Sequence, residues 1–96
     1  MQEAAKDESF YQRFHQQLLE TSSWPDVYVF KFIVPASGNA QQTLENLFSK
    51  DVVKISVRAS SKGTYNSISV QGTFKSPTVI IDKYKEAAKI PNIIQL

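Results

Sequence analysis

The chain has 96 residues, with 11 lysines and arginines, 9 acidic residues, one histidine and no cysteine. This length predicts a single domain over residues 1–96, since typical domains span about 100 to 150 residues. Without cysteine there is no disulfide, thiolate nucleophile or cysteine-bound zinc, and one histidine excludes a pair of histidine metal ligands. We therefore expect a protein that is not an enzyme and that has no catalytic residues, metal or cofactor.

Charge is distributed unevenly along the chain, although the formal net charge is only +2. Residues 1–49 contain 3 basic and 6 acidic side chains, whereas residues 50–96 contain 8 basic and 3 acidic ones. A surface that meets an anionic partner is therefore expected in the second half. The longest apolar stretch, residues 27–34, is far shorter than the ~20 residues of a membrane helix, and the polar N-terminus does not resemble a signal peptide. These features predict a soluble, cytoplasmic protein.

One helix is predicted before the main body of the fold. Residues 1–7 are polar and are expected to be disordered. Phe10, Phe14 and Leu18 then recur at the spacing of an amphipathic helix, which is predicted over residues 8–23.

Residues 26–96 are predicted to form the core, with the element order β-α-β-β-α-β. Strands are indicated over residues 26–35, 52–59, 65–75 and 92–96, and helices over residues 40–50 and 77–89. This order is typical of the ferredoxin-like arrangement, with a four-stranded antiparallel sheet, strands one and three at its centre, and two helices on one face. The predicted fold class is therefore α+β, with the N-terminal helix as an addition.

Alternation in the first strand predicts two different sheet faces. One set of side chains points to the more buried side: Tyr28, Phe30, Phe32 and Val34. The opposite set forms an apolar patch: Val27, Val29, Ile33 and, from the last strand, Ile93. We expect Phe10, Phe14 and Leu18 to cover this patch, with Trp24 at its corner, and homodimer formation is the alternative cover. In the last strand, Ile94 and Leu96 are expected to point inwards.

The second and third strands are predicted to form a hairpin through the turn residues 60–64. With Lys62 and Gly63 at the centre of the turn, the facing pairs are Val57 with Ile68, Ile55 with Val70, and Val53 with Gly72. A slip of one residue would place apolar side chains opposite polar ones. Hydrophobic pattern and turn chemistry therefore indicate the same register.

The hairpin also carries a family resemblance. Residues 57–70, with the turn Ser61-Lys62-Gly63-Thr64-Tyr65, resemble the signature of the YbeD-like family of small bacterial proteins, in which a Ser-Lys-Gly-x-Tyr turn joins the middle strands of an ACT-like ferredoxin fold. The resemblance extends through residues 77–96 and back to residues 24–35. It implies an ACT-like fold and a regulatory role, and it implies no catalytic residues.

Two surfaces are predicted to bind a ligand or partner. The loop after the first strand contains Ser37, Gly38 and Asn39, whose backbone amides are expected to hold a small ligand, as the equivalent loop does in ACT domains that bind amino acids. The hairpin is expected to bind a partner or an anion through its outer face and tip: Lys54, Arg58, Ser60, Lys62, Gly63 and Tyr65. The alternatives are a simple strand-to-helix turn and a sheet edge protected by lysines.

The favoured function is a non-catalytic, ACT-like regulatory module that binds a small metabolite or a partner protein. The alternative is a nucleic-acid-binding domain that uses the basic hairpin face. Nucleic acid is the less favoured partner, because Ser67 and Ser69 occupy exposed positions where RNA-recognition domains place stacking aromatic side chains.

Two further candidates for chemistry are interpreted as surface side chains. His15 has no neighbouring nucleophile or orienting group in the sequence, so it is not interpreted as a catalytic base. Asp82 and Glu86 are spaced to share a proton or a metal ion, but lysines surround them, which is typical of a solvated helix face.

Overall fold

The computed structural model describes residues 7–96. The elements are α1 (Glu8–Thr21), β1 (Asp26–Pro35), α2 (Ala40–Leu47), β2 (Val53–Ala59), β3 (Tyr65–Phe74), α3 (Pro77–Ala87) and β4 (Ile94–Gln95). The predicted order of elements is confirmed, and the boundaries differ by a few residues at the ends. The lead expected to be disordered lies outside the described residues except for Asp7, whose carboxylate accepts a hydrogen bond from the Phe10 amide (3.0 Å) and caps α1.

The four strands form one antiparallel sheet in the order β2-β3-β1-β4. β1 and β3 therefore lie at the centre, as the element order predicts, and β2 and β4 lie at the edges. The connection through α2 passes β3 to reach β2, and the connection through α3 passes β1 to reach β4. This α+β architecture is compatible with a ferredoxin-like fold.

The hairpin of β2 and β3 has the predicted register. Val57 faces Ile68, Ile55 faces Val70 and Val53 faces Gly72. The Ser60 amide donates to the Tyr65 carbonyl (2.8 Å), and the Gly63 amide donates to the Ser60 carbonyl (3.0 Å). Because these bonds span residues 60–65, the turn is longer than a two-residue loop while the register is unchanged.

The core lies between the sheet and the helices. Its fully buried large side chains are Phe30, Phe32, Val34, Leu44, Phe48, Ile68, Val70 and Ile80. The predicted inward side of β1 is thus confirmed, and Tyr28 on the same side is half-buried. The Phe30 ring lies 5.3 Å from the Phe74 ring and 5.0 Å from the Tyr84 ring, so it joins the sheet to α3.

The position of α1 differs from the prediction. α1 packs against α3, where the Phe14 ring lies 5.6 Å from the Tyr84 ring and His15 Nε2 lies 3.1 Å from Thr78 Oγ1. Leu18 is buried as part of the core, and its carbonyl accepts a hydrogen bond from the Trp24 indole (3.0 Å). α1 packs against α3 and not against the sheet because α3 offers an apolar, aromatic surface that α1 can bury.

The outer face of the sheet is consequently left open. Val27 and Val29 are 54% and 41% exposed, so the expectation that Phe10, Phe14 and Leu18 cover them, with Trp24 at the corner, is wrong. Both valines lie on the side of β1 opposite to the core, which confirms the predicted alternation of that strand.

The inward and outward sides of β4 are also opposite to the prediction. Ile94 pairs with Ile33, and paired residues share a face, so Ile94 points outwards and is 46% exposed. Leu96 is 63% exposed, and Ile93, expected on the outer patch, packs against the core instead. The inward position of β4 is taken by Gln95, whose side-chain amide donates to a backbone carbonyl near the end of α3 (2.8 Å).

Candidate functional site

The loop between β1 and α2 opens onto a cleft of about 460 Å³, here called the loop cleft. Ser37, Gly38 and Asn39, the three residues predicted to hold a ligand, all line it. The structure adds residues from the end of α3 that are distant in sequence, including Glu86 and Lys89. This volume falls within the range of about 300–1,000 Å³ that is typical of small-molecule sites.

Two backbone features define the shape of this loop. Gly38 has a φ of +81°, which favours glycine, and the Ala36 amide donates to the Thr64 carbonyl (2.9 Å), which ties the loop to the hairpin. Asn39 is the N-cap of α2, but its side chain makes no capping hydrogen bond. The first amides of α2 are therefore left to other acceptors, and a helix N-terminus favours an anion.

The far wall of the loop cleft carries charges of both signs. Lys89 Nζ lies 3.0 Å from Glu86 Oε2, and both side chains are more than half exposed. An exposed pair of this kind contributes at most about 1 kcal/mol, so either partner can exchange it for a ligand. Leu47 and Ile90 supply an apolar wall. The loop cleft therefore brings together a helix N-terminus, a carboxylate, a cation and an apolar surface.

The second predicted surface lies on the open sheet face, defined here as the outward-facing side chains of the four strands. These are Val27, Val29, Lys31 and Ile33 on β1, Lys54, Ser56 and Arg58 on β2, Tyr65, Ser67, Ser69, Gln71 and Thr73 on β3, and Ile94 on β4. The pairing register aligns them in rows across the sheet. One row runs from Arg58 through Ser67 and Ile33 to Ile94.

The predicted hairpin residues divide between this face and the turn. Arg58, Ser60 and Tyr65 line a hollow of about 400 Å³ together with Ile33 and Ile94. The Ser60 hydroxyl accepts a hydrogen bond from the Tyr65 amide (3.2 Å), so it also stabilises the turn.

The other three predicted hairpin residues lie outside that hollow. Lys54 is exposed on β2, opposite Gln71. Lys62 and Gly63 are exposed in the turn, where Gly63 has a φ of +73°.

The sequence did not indicate three residues of these surfaces, which come from the C-terminal part of the chain. Glu86 and Lys89 reach the loop cleft because the end of α3 lies beside the start of α2. Ile94 reaches the hollow through the register of β4. The positions of these residues depend on the packing of α2 against α3 and on the short β4 ladder, and neither has a local sequence signal.

The remaining titratable candidates do not assemble into a site. Asp82 lines a small hollow between α1 and α3 with His15, whereas Glu86 lines the loop cleft, so the two carboxylates border different hollows. Within residues 7–96, no group of three or more histidine, cysteine or carboxylate side chains is placed to hold a metal ion. No helix in that range has the length and apolar character to cross a membrane.

Comparison with known proteins gives one match. The model of a family described as "Protein of unknown function (DUF493)" matches residues 20–95, which include both predicted surfaces and exclude most of α1. No curated protein and no solved structure matches the chain.

Proposed function

The chain belongs to the DUF493 family, the YbeD family that its hairpin resembles, and we propose that it is a non-catalytic module that binds a small zwitterionic metabolite of the amino-acid type in the loop cleft. A single observation carries this proposal. The cleft combines the uncapped N-terminus of α2 with the carboxylate of Glu86. An ACT-like, ferredoxin-like form of the fold is part of the proposal, and the central position of β1 and β3 supports it.

The charges of the loop cleft support a zwitterion as the class of ligand. A ligand carboxylate is placed at the amides that begin α2, where Gly38 allows close approach because it has no side chain. A ligand ammonium group is placed at Glu86, in exchange for Lys89. An apolar ligand side chain lies along Leu47 and Ile90. The released Lys89 then adds to the positive charge near the ligand carboxylate.

A binding role is favoured over a reaction by the chemistry of the lining. Among the described residues around the loop cleft, the ionised side chains are Glu86 and Lys89, which neutralise each other, and no histidine is present. The hydroxyls of Ser37 and Thr43 thus have no imidazole base beside them. The Thr43 hydroxyl already donates to the Asn39 carbonyl (2.9 Å), which orders the first turn of α2.

A regulatory consequence follows from the elements that meet at the cleft. A ligand there would contact the start of α2 and the end of α3 at once. It would also order the loop that is tied to the hairpin through Ala36 and Thr64. Ligand binding would therefore stabilise the contact between α2, α3 and the hairpin turn.

A thermal-shift series tests the proposal. The common amino acids are compared with their N-acetyl and amide derivatives, each at millimolar concentration. We expect one amino acid, or a small group, to raise Tm, because a ligand at about 100 times its Kd adds about 2.7 kcal/mol of stability. The derivatives that lack one charge are expected to have little effect.

Matched variants connect the result to the loop cleft. Glu86→Gln removes the acidic group and is expected to abolish the shift. Glu20→Gln changes the same charge on α1, away from the cleft, and is expected to retain it. Absence of any stabilising zwitterion, or a shift that survives Glu86→Gln, would contradict the proposal.

A further inference from the structure

The open sheet face carries two stripes of different chemistry. The apolar stripe follows β1 and β4 and contains Val27, Val29, Ile33 and Ile94. The cationic stripe follows β2 and contains Lys54 and Arg58. Lys31 lies on β1 between Val29 and Ile33, within the apolar stripe. The face is therefore amphipathic, with one cation inside its apolar part.

The cations of this face have no anionic partner within residues 7–96. No outward-facing strand position holds an aspartate or glutamate. The ion pairs found in that range use Lys83, Lys85 and Lys89, which lie on or just after α3 on the helical side. Lys31, Lys54 and Arg58 are exposed and make no ion pair in the same part of the chain.

The hollow on this face links the two stripes. Its wall is almost entirely apolar, and Arg58 is the one charged residue among those that line it, beside Ile33, Ala59, Tyr65 and Ile94. At about 400 Å³, it has room for one large apolar side chain. A carboxylate next to such a side chain in a partner would meet the Arg58 guanidinium, which suits bidentate pairing.

We propose that the open sheet face is a docking surface for an acidic amphipathic helix of another protein. A large apolar side chain of that helix fills the hollow between Ile33 and Ile94. Aspartates or glutamates on its flank pair with Arg58, Lys54 and Lys31. We choose an acidic partner because of charge complementarity. Among the described residues, the face has cations and apolar area and no aspartate or glutamate.

The same observations disfavour a second copy of this chain as the occupant. A two-fold dimer buries the same patch on both copies. If the apolar stripes met, the cations of each copy would lie against a face that holds cations and no carboxylate to neutralise them. Such like-charge contacts are destabilising.

Nucleic acid is disfavoured by the lack of stacking groups. The outward positions at the centre of β1 and β3 are Val29, Lys31, Ser67 and Ser69. Tyr65, at the start of β3, is the single aromatic side chain on the described face. Sequence-tolerant binding of single strands relies on several aromatic platforms, each worth about 1–3 kcal/mol per base.

A peptide selection tests this proposal independently of the loop cleft, which lies at the helix ends. A random library of displayed peptides is selected on the full chain, with counter-selection on Arg58→Glu. We expect enriched peptides to combine aspartate or glutamate with large apolar residues three and four positions apart. Arg13→Glu makes the identical change on α1 and is expected to retain the enriched peptides.

A synthetic peptide with the enriched pattern then locates the site by NMR. Amide shifts are expected at Ile33, Ser67 and Ile94, and Ile33→Thr is expected to weaken binding at least tenfold while preserving a β-branched residue in β1. Circular dichroism melting of each variant establishes that it is folded. Arg58 is exposed, so its replacement is not expected to lower Tm appreciably.

Three outcomes would overturn the proposal. The first is enrichment of basic or uncharged peptides, or enrichment that persists on Arg58→Glu. The second is a concentration-dependent dimer whose interface maps to Lys31 and Val29. The third is displacement of the peptide by a short single-stranded oligonucleotide with higher affinity at physiological salt, which would assign the face to nucleic acid.

Discussion

The hydroxyl oxygens of Tyr28 on β1 and Tyr84 on α3 lie 2.8 Å apart, and this hydrogen bond joins the centre of the sheet to the helix that α1 covers. The two rings meet edge to face at 6.3 Å, and the Phe14 ring of α1 also packs against Tyr84, at 5.6 Å. Burial raises the pKa of both tyrosines. The hydrogen bond and charge of Tyr28 raise the pKa of Tyr84 further.

The tyrosine pair predicts a loss of stability at alkaline pH. The unfolded chain releases tyrosine protons near the usual pKa of 10.0, whereas the folded chain retains them to higher pH. The stabilisation is therefore fully present below pH 10 and decreases as the pH rises above it. Tyr84→Phe is expected to flatten the dependence of the unfolding free energy on pH above 10.

Tyr65→Phe is the matched control for that measurement, because Tyr65 is 46% exposed on the outer face. Urea unfolding between pH 8 and pH 11 should give the same alkaline slope for Tyr65→Phe as for the original chain. At neutral pH, Tyr84→Phe should cost about 0.5–1.5 kcal/mol for the lost hydrogen bond. An unchanged alkaline slope in Tyr84→Phe would refute this assignment.

The contact between α1 and α3 predicts different effects at two adjacent leucines. Leu18 is 8% exposed and Leu19 is 47% exposed. Leu18→Ala removes packed side-chain atoms and should lower the unfolding free energy by about 2–3 kcal/mol. Leu19→Ala should cost less than about 1 kcal/mol. Equal losses in urea unfolding would contradict the packing of α1 described here.

A partly buried ion pair joins α3 to the segment after α2. Lys83 Nζ lies 2.7 Å from Asp51 Oδ2 and 2.6 Å from the Leu47 carbonyl oxygen, and it lies 5.0 Å from the centre of the Phe48 ring. Lys83→Met leaves the Asp51 carboxylate without its cation. The expected loss of stability is about 1–3 kcal/mol.

Lys89→Met provides the comparison for Lys83→Met. The Lys89 side chain is 72% exposed and pairs with Glu86 within one turn. Its removal should change the unfolding free energy by no more than about 0.5 kcal/mol. If the two variants lose the same stability, burial is not what makes the Lys83 ion pair important.

The hairpin shows which parts of the fold were predictable from the sequence. Two local signals, strict alternation and a glycine turn, indicated the same pairing of β2 with β3, and the structure has that pairing. The register also places Gly72 beside Val53, where a Cβ on residue 72 would lie 2.8 Å from Val53 Cγ1. A glycine at this position in an alternating strand is therefore explained by the close approach of the neighbouring strand β2.

The position of α1 and the orientation of β4 could not be predicted in the same way. The apolar stripe of α1 shows that one side is buried, but it does not show whether the sheet or α3 covers it. In β4, two residues pair with β1, and Ile93 and Ile94 are equally apolar, so alternation does not distinguish their faces. The ladder with Ile33 and the Gln95 hydrogen bond determine the outcome.

The candidate site was predictable only in part for a related reason. Ser37, Gly38 and Asn39 were identified from a local signal, a glycine beside polar residues after a buried strand. Glu86 and Lys89 reach the same cleft through the packing of two helices. Their pattern in the sequence is that of an ordinary solvated helix face.

The zwitterion site at the loop cleft can be tested by titrating the ¹⁵N-labelled protein with the amino acid that raises Tm most. Binding at the loop cleft predicts saturable amide shifts at Gly38, Asn39 and Ala40 and at residues 86–90 and 92, which line the loop cleft or lie between residues that do, and their loss in Glu86→Gln. It predicts no shifts along the outward positions of β2 and β3. Shifts confined to the open sheet face, or saturable shifts at the loop cleft that persist in Glu86→Gln, would contradict the assignment of the loop cleft as a zwitterion site.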